Sequence, residues 1–134
     1  MNRIHIHVGV ETIPEAITFY ATLFGAEPTM VKDDYARWML DDPRVNFAIS
    51  AGGGAKGIRH LGLQSDAISD LTALTERLQQ QGFPTAQEDD TTCCYAQSDK
   101  TWVRDPIGVN WEAFVTSGAA DTLRTPAETA CCAC

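Results

Sequence analysis

Hydrophobic and polar residues follow the same order of patterns twice along the chain. In the first half, alternation predicts a strand over residues 4–10, and helical spacing predicts a helix over residues 14–24. Gly25 follows the last residue of this helix and predicts its end. Two short apolar runs, 37–40 and 45–50, predict the strands that complete the first half.

The second half repeats this order of elements. The predicted elements are a strand over 58–63, a helix over 68–81 that Gly82 ends, and strands near 94–97, 101–104 and 109–114. Local sequence supports a duplication, because residues 42–47 resemble residues 105–111. The flexible run Gly52–Gly54 predicts the linker between the two copies.

Each half therefore predicts a strand, a helix and a meander of strands. Such a unit cannot close its own sheet, so two copies side by side are expected to form one curved, cup-like sheet with a cleft. We predict an α+β fold of two paired βαβββ modules, about 3–51 and 57–116, in one domain over residues 1–118. The small and polar residues 119–134 predict a flexible, cysteine-containing C-terminal tail.

Composition narrows the class of protein. The chain has 134 residues, 44% of them hydrophobic, and a formal net charge of -8 at pH 7. This charge argues against nucleic acid or an anionic membrane surface as a partner. No run approaches the roughly 20 apolar residues of a membrane span, and the N-terminus reads as a strand. We therefore expect a cytoplasmic protein whose five cysteines are reduced thiols.

A metal site is predicted from three side chains in the duplicated framework. His5 and His60 occupy matching positions on the first strands of their modules, and Glu112 lies in an otherwise apolar last strand. Two histidines and one carboxylate leave coordination positions open on Fe(II), or for water on Zn(II) or Mn(II). A single strand histidine is more often a packed or surface residue, but three candidates in register favour a metal. His7 shares a face with His5 and stays an alternative ligand, whereas Ala48 aligns with Glu112 and leaves one side of the site open.

A second kind of chemistry is predicted from adjacent cysteines. Cys93 and Cys94 form one vicinal pair, and the C-terminus carries Cys131, Cys132 and Cys134. Neighbouring thiolates chelate thiophilic ions such as As(III), Cd(II) or Zn(II) readily. Because successive strand residues point to opposite faces, we expect Cys93 and Cys94 to sit on a loop or bulge that the polar run 87–92 supplies.

Two parts of the sequence resemble known protein families. The opening strand and helix resemble the vicinal oxygen chelate superfamily, which contains glyoxalases, bleomycin-resistance proteins and extradiol dioxygenases. A more specific set of short motifs is similar to the carbon-arsenic lyase branch, the ArsI and CadI type. These motifs are Thr91-Thr92-Cys93-Cys94-Tyr95-Ala96, Ser98-Asp99-Lys100, Trp102-Val103, Asp105-Pro106 and Trp111-Glu112.

The resemblance implies an enzyme that depends on Fe(II), uses O2 as co-substrate and cleaves the carbon-arsenic bond of trivalent organoarsenicals. Methylarsonous acid is one such substrate, and arsenite is the product. The family's metal residues map onto His5, His60 and Glu112, and its arsenic-binding pair maps onto Cys93 and Cys94. Some relatives carry another residue, such as Gln, at the first ligand position.

Further residues complete the expected site. Lys100 is a candidate for favouring the thiolate form of the cysteines, and Tyr95 is a candidate for shaping the substrate pocket. Cys131, Cys132 and Cys134 are possible accessory thiols. We expect a small-molecule organoarsenical as the partner, no nucleic acid, no membrane and assembly as a homodimer.

Two alternative functions stay open from the sequence. One is a non-enzymatic resistance protein that binds Cd(II) or As(III) through its thiols. The other is a different metal-dependent enzyme of the same superfamily, a glyoxalase or a thiol transferase.

Overall fold

One mixed sheet of eight strands organises the computed structural model, which describes residues 2–121. The elements in chain order are β1 (Arg3–Gly9), α1 (Ile13–Phe24), β2 (Met30–Lys32), β3 (Tyr35–Asp41), β4 (Arg44–Ser50), β5 (Gly57–Gln64), α2 (Ile68–Gln80), β6 (Thr85–Cys93), β7 (Ala96–Arg104) and β8 (Asn110–Ala119).

The strand order shows the predicted duplication. Along the sheet it reads β2-β3-β4-β1-β5-β8-β7-β6, so each half contributes four neighbouring strands. The first strand of each module pairs in parallel with the last strand of the same module, β1 with β4 and β5 with β8. The two first strands meet antiparallel at the centre. The prediction of paired βαβββ modules in an α+β fold is therefore confirmed.

Strand register places equivalent residues of the two modules opposite equivalent partners. His7 of β1 lies opposite Ala48 of β4, and Gly62 of β5 lies opposite Glu112 of β8. Ala48 and Glu112 thus occupy the equivalent positions that the aligned repeats predict. A methyl group next to a histidine in one module corresponds to a carboxylate next to a glycine in the other.

Both helices pack against the same kind of apolar surface. Pro14 fits the first turn of α1, and Gly25 ends that helix in the left-handed conformation, at φ 65°. Ile6 and Val8 of β1 join the apolar cluster beneath α1. Because strand side chains alternate, His5 and His7 point away from that cluster, into the sheet's other face.

Helix α2 covers the second module in the same way, through Leu71 and Leu74 packed on Ala113. Neither helix of the described chain combines the length and the apolar character that crossing a bilayer requires.

Three predictions about the strands are wrong, one in the first module and two on either side of the vicinal cysteines. Strand β2 was not predicted, and the expected loop over 87–92 belongs to strand β6. The expected strands near 94–97 and 101–104 are one strand, β7. The loop prediction is wrong because β6 is an edge strand. Its polar and charged side chains remain solvated while its backbone still pairs with one neighbouring strand.

Candidate metal and thiol site

Three side chains converge where the central strands of the two modules meet. Nε2 of His60 lies 3.0 Å from Nε2 of His5 and 2.9 Å from Oε2 of Glu112. Nε2 of His5 lies 3.9 Å from the same carboxylate oxygen. Two ligands that bind one metal at about 2.1 Å and at a right angle lie about 3 Å apart. The structure therefore brings together the three residues that the sequence nominates, at spacings that suit one ion.

Neighbouring groups hold two of these three donors, His5 and Glu112, in the forms that bind a metal. Nδ1 of His5 lies 3.1 Å from the carbonyl oxygen of Asn46. A carbonyl oxygen only accepts hydrogen bonds, so Nδ1 carries the proton that is donated to it and Nε2 carries the lone pair. Nζ of Lys100 donates to Oε1 of Glu112 at 3.1 Å and leaves Oε2 directed at His60. Outer partners of this kind orient ligands in metalloproteins. The donor set fits a divalent metal.

Electrostatics favour the same protonation states. Burial acts to raise the pKa of Glu112, but the Lys100 ammonium and His60 together hold it well below the usual range. Burial lowers the pKa of His5 to about 4, with Glu112 opposing that shift. At neutral pH the site therefore contains a carboxylate and a neutral imidazole, the two forms that coordinate metals.

Close packing at Gly62 makes room for this cluster. A Cβ atom at Gly62 would lie 2.3 Å from the carbonyl oxygen of Glu112 and 3.3 Å from Cδ2 of His5. The first of these distances is far inside van der Waals contact. Any side chain at this position would push β5 and β8 apart beside the metal ligands.

A third histidine, His7, lies beside the first two. Ligand atoms of His5, His7 and His60 all lie within 4.8 Å of one another. The ring nitrogens of His7 have other close neighbours as well, since Nε2 lies 2.8 Å from Oγ of Ser50 and Nδ1 lies 3.8 Å from Sγ of Cys94. Burial lowers the pKa of His7 well below its ordinary value, so this ring is neutral at pH 7.

The vicinal cysteines lie at the tip of the β6–β7 hairpin. Cys93 is the last residue of β6 and pairs with Ala96, which leaves Cys94 and Tyr95 as a two-residue turn. Both turn residues have positive φ, 56° and 60°, in the manner of a type I′ turn. Asparagine and glycine are the usual residues there, and other side chains are strained in this conformation. Successive residues of a regular strand point to opposite faces of the sheet. The turn, and not a preceding loop, brings the side chains of Cys93 and Cys94 to the same side.

The sulfur atoms of Cys93 and Cys94 lie side by side at the hairpin tip. Sγ of Cys93 is 3.5 Å from Sγ of Cys94, well beyond the roughly 2.05 Å of a sulfur–sulfur bond. Cys93 is nevertheless disulfide-bonded, so Cys94 is not its partner. The expectation that every thiol is reduced is wrong for Cys93, and chelation by the pair requires prior reduction.

Tyr95 fastens the hairpin tip to the first module. Its hydroxyl donates to the carboxylate of Asp34, its ring lies 5.6 Å from that of Tyr35, and Nζ of Lys32 lies 5.4 Å from the ring centre. Burial and the bond to Asp34 raise the pKa of Tyr95 to about 12. Because these partners lie at the β2–β3 hairpin, Tyr95 joins the opposite ends of the sheet and closes the cup.

One pocket contains both kinds of chemistry. This pocket is open to solvent, and the space between its atoms, counted out into that solvent, is about 350 Å³. The side chains that line it come from both modules: His5, Tyr35, Arg37, Asn46, Cys93, Cys94, Ala96, Ser98, Lys100, Glu112, Phe114 and Thr116. Two of the three candidate metal ligands, His5 and Glu112, thus line the same space as both vicinal cysteines.

Several of these groups were missed in the sequence. Asn46, Ser50, Gly62 and Asp34 support the site, but each is a common residue in an ordinary strand or turn and carries no local signal. The repeat alignment could have drawn attention to Gly62, since it is the counterpart of His7. Cys131, Cys132 and Cys134, the possible accessory thiols, lie outside the described residues.

A sheet of two βαβββ modules with histidines and a carboxylate at the junction defines a class of metal-binding proteins. The chain belongs to the Glyoxalase/Bleomycin resistance protein/Dioxygenase superfamily, whose family model matches residues 3–113.

Relatives with assigned names narrow this similarity. The chain is 35% identical over 133 residues to the probable trivalent organoarsenical cleaving enzyme of Bacillus subtilis, covering 98% of this chain and 91% of the relative. It is 36% identical over 134 residues to the trivalent organoarsenical cleaving enzyme of Thermomonospora curvata, with coverage of 98% and 89%. It is 35% identical over 124 residues to the cadmium-induced protein CadI of Mycobacterium tuberculosis, with coverage of 92% and 82%.

Solved structures confirm the fold. An extradiol ring-cleaving dioxygenase from B. fuscum superposes with a TM-score of 0.65 at 16% identity, covering 94% of this chain and 36% of that one. A Mn(II)-bound glyoxalase from Novosphingobium aromaticivorans gives a TM-score of 0.62 at 20% identity, with coverage of 91% and 43%. At these identities the likeness concerns the fold alone.

We expect the metal-free protein to lose stability as the pH falls from about 6.5 to 4. An unfolded histidine takes up a proton near pH 6.5, whereas folded His5 stays neutral down to about pH 4. The unfolded state therefore binds more protons in this window, and the free energy of unfolding should fall by about 3 kcal/mol for His5 alone. Urea unfolding at several pH values measures this change, and His5→Gln should flatten the slope.

We expect Gly62→Ala to disrupt the metal site more than its size suggests. The new methyl group would overlap the carbonyl of Glu112, which should cost about 1–3 kcal/mol of stability and lower the affinity for a divalent metal. Gly118→Ala is the matched control, because a Cβ there meets only Oε1 of Gln97, at 3.8 Å. Thermal unfolding and divalent-metal content of both variants measure the difference, and equal behaviour of the two would contradict the packing argument.

Proposed function

We propose that the protein is an Fe(II)-dependent, dioxygen-using carbon-arsenic lyase that converts trivalent organoarsenicals, such as methylarsonous acid, to arsenite. The observation that carries this proposal is the pocket that the vicinal cysteines share with His5 and Glu112, two members of a two-histidine, one-carboxylate donor set that His60 completes beside Glu112. The names of the relatives from Bacillus subtilis and Thermomonospora curvata support the same substrate class.

His5, His60 and Glu112 are the proposed metal ligands. Glu112 lies against His60 and is oriented by Lys100, whereas the nitrogens of His7 lie beside Ser50 and Cys94. Two imidazoles and one carboxylate leave open coordination positions. Fe(II), when bound there, supplies the capacity to bind and activate dioxygen.

Cys93 and Cys94 are the proposed substrate ligands. A trivalent monomethyl arsenical has two exchangeable positions, and two thiolates fill them while the arsenic–carbon bond remains. The thiols lie in the same pocket as His5 and Glu112, so a bound arsenical would be held next to the metal ligands. Holding reactants in this way is itself a large contribution to catalysis.

Other residues of the chain have supporting roles in this proposal. Lys100 keeps the Glu112 carboxylate deprotonated and oriented. Tyr35 and Phe114 give the pocket an apolar wall against the methyl or aryl group. Tyr95 joins the two ends of the cup through Asp34.

An oxygen-dependence assay tests the proposal. Reduced protein is loaded with Fe(II) under anaerobic conditions, mixed with methylarsonous acid and then exposed to air, and arsenite is measured by chromatographic speciation of arsenic. We expect arsenite only when iron, oxygen and intact protein are all present. Zn(II)-loaded protein is the matched control. Arsenical that binds to the thiols but stays methylated in air would favour a binding protein over a lyase.

A further inference from the structure

Cys93 is disulfide-bonded in the structure. We propose that, once this disulfide is reduced, His7, Cys93 and Cys94 form a second metal site, separate from the His5–His60–Glu112 set, for a thiophilic divalent cation such as Zn(II) or Cd(II). The three side chains follow one another in space, with Sγ of Cys93 3.5 Å from Sγ of Cys94 and Sγ of Cys94 3.8 Å from Nδ1 of His7. Two thiolates and one imidazole are a common ligand combination for these ions.

Two of the three donor–donor distances, Cys93 to Cys94 and Cys94 to His7, suit one ion of this kind. For metal–sulfur bonds of about 2.3 Å and a metal–nitrogen bond of about 2.05 Å, the two spacings correspond to angles of roughly 100° and 120° at the metal. Both angles are close to the tetrahedral value. A site of three protein ligands would leave one position for water or another small ligand.

The surroundings of His7 match those of a metal-binding histidine. Its Nε2 lies 2.8 Å from Oγ of Ser50, and both side chains are fully buried. A proton on Nε2 that is donated to Ser50 leaves the lone pair of Nδ1 directed at Cys94. A ring nitrogen held in this manner fixes the tautomer and the orientation of a metal ligand.

The two metal sites would be adjacent but would have no ligand in common. His5 and His60 approach Glu112 through Nε2, and His7 approaches Cys94 through Nδ1. Occupation of the second site would block the thiols that the proposed function assigns to arsenic. A thiophilic divalent cation would therefore inhibit arsenical binding without displacing iron, although its own binding does not require carbon-arsenic cleavage.

Cd(II) titration tests this site by a signal that does not depend on turnover. The protein is the full chain with Cys131, Cys132 and Cys134 replaced by Ser, reduced and loaded with Fe(II) under anaerobic conditions. We expect one Cd(II) per chain, a thiolate-to-cadmium charge-transfer band in the ultraviolet and unchanged iron content. Cadmium that displaces iron without this band would overturn the proposal, because the ion would then occupy the His5–His60–Glu112 set.

The His7→Phe variant tests the third ligand. Loss of an outer partner alone reduces metal affinity by about 10–100-fold, so loss of a ligand should reduce Cd(II) affinity by at least about tenfold. Iron content should stay at the parent level. Cadmium affinity equal to that of the parent would show that the thiols act without His7 and would overturn the proposal.

A pair of serine variants keeps the test independent of the folding of His7→Phe. Ser50→Ala removes the partner of Nε2 and should weaken Cd(II) binding by about tenfold or more. Ser98→Ala is the matched control, because Ser98 is another buried serine and lines the pocket that contains Cys93 and Cys94. The proposal is wrong if Ser50→Ala and Ser98→Ala bind Cd(II) equally.

Discussion

Glu112→Gln is expected to remove iron from the protein and to lower arsenite release by at least about 100-fold. The amide lacks the negative charge that the proposed site offers beside His60, and loss of a direct ligand should exceed the 10–100-fold effect of losing an outer partner. Iron per chain after anaerobic loading and desalting measures the first effect. Arsenic speciation measures the second.

The structure adds a complication that the sequence does not suggest. Lys100 is 2% exposed and lies against Glu112, so a neutral residue at position 112 leaves a buried ammonium without its counter-charge. Breaking a buried pair in this way costs about 3–5 kcal/mol. The double variant Glu112→Gln/Lys100→Met removes both charges, and we expect it to recover stability but not iron binding.

His60→Ala and His7→Phe separate the two possible ligand sets. His60→Ala should lose iron, and His7→Phe should retain it, although both variants remove a fully buried histidine. The opposite result, iron lost in His7→Phe but retained in a folded Glu112 variant, would replace the proposed set by His5, His7 and His60. The latter three also lie close enough together to hold an ion.

Loss of either vicinal thiol is expected to weaken binding of a trivalent organoarsenical by about 100-fold or more. After one thiolate binds, the second closes the ring at a high effective concentration, and a single thiol forfeits that gain. Cys93→Ser, Cys94→Ser and the double variant should therefore differ little from one another in binding and in arsenite release. The measurements require reductant, because Cys93 is disulfide-bonded in the structure.

Two controls accompany the thiol variants. Iron content should remain at the parent level, since thiolates are not among the proposed iron ligands. The variant with Ser at positions 131, 132 and 134 should retain activity at saturating arsenical, because accessory thiols on a tail can raise local concentration without setting geometry. Single variants of Cys93 or Cys94 that bind and react like the parent would remove the most specific support for a carbon-arsenic lyase.

Much of the fold could be predicted because the same order of strand and helix patterns occurs twice along the chain. Helix α1 was predicted to within one residue at its start, since Pro14 and Gly25 mark its ends. Edge strand β6 could not be predicted in the same way, because its charged, solvated side chains resemble those of a loop. A strand without an apolar face is recognised only from its backbone hydrogen bonds to the neighbouring strand, which the structure shows and the sequence does not.

Three features could be predicted from the amino-acid sequence alone: the paired modules, the candidate ligands His5, His60 and Glu112, and the two adjacent cysteines. These follow from repeated patterns and residue types, which are local properties of the chain. The tertiary structure alone decided that Lys100 pairs with Glu112, that His7 lies between Ser50 and Cys94, and that Gly62 must lack a side chain. Each of these depends on strand register and hairpin geometry, and register is fixed only when distant strands pair and bury their side chains together.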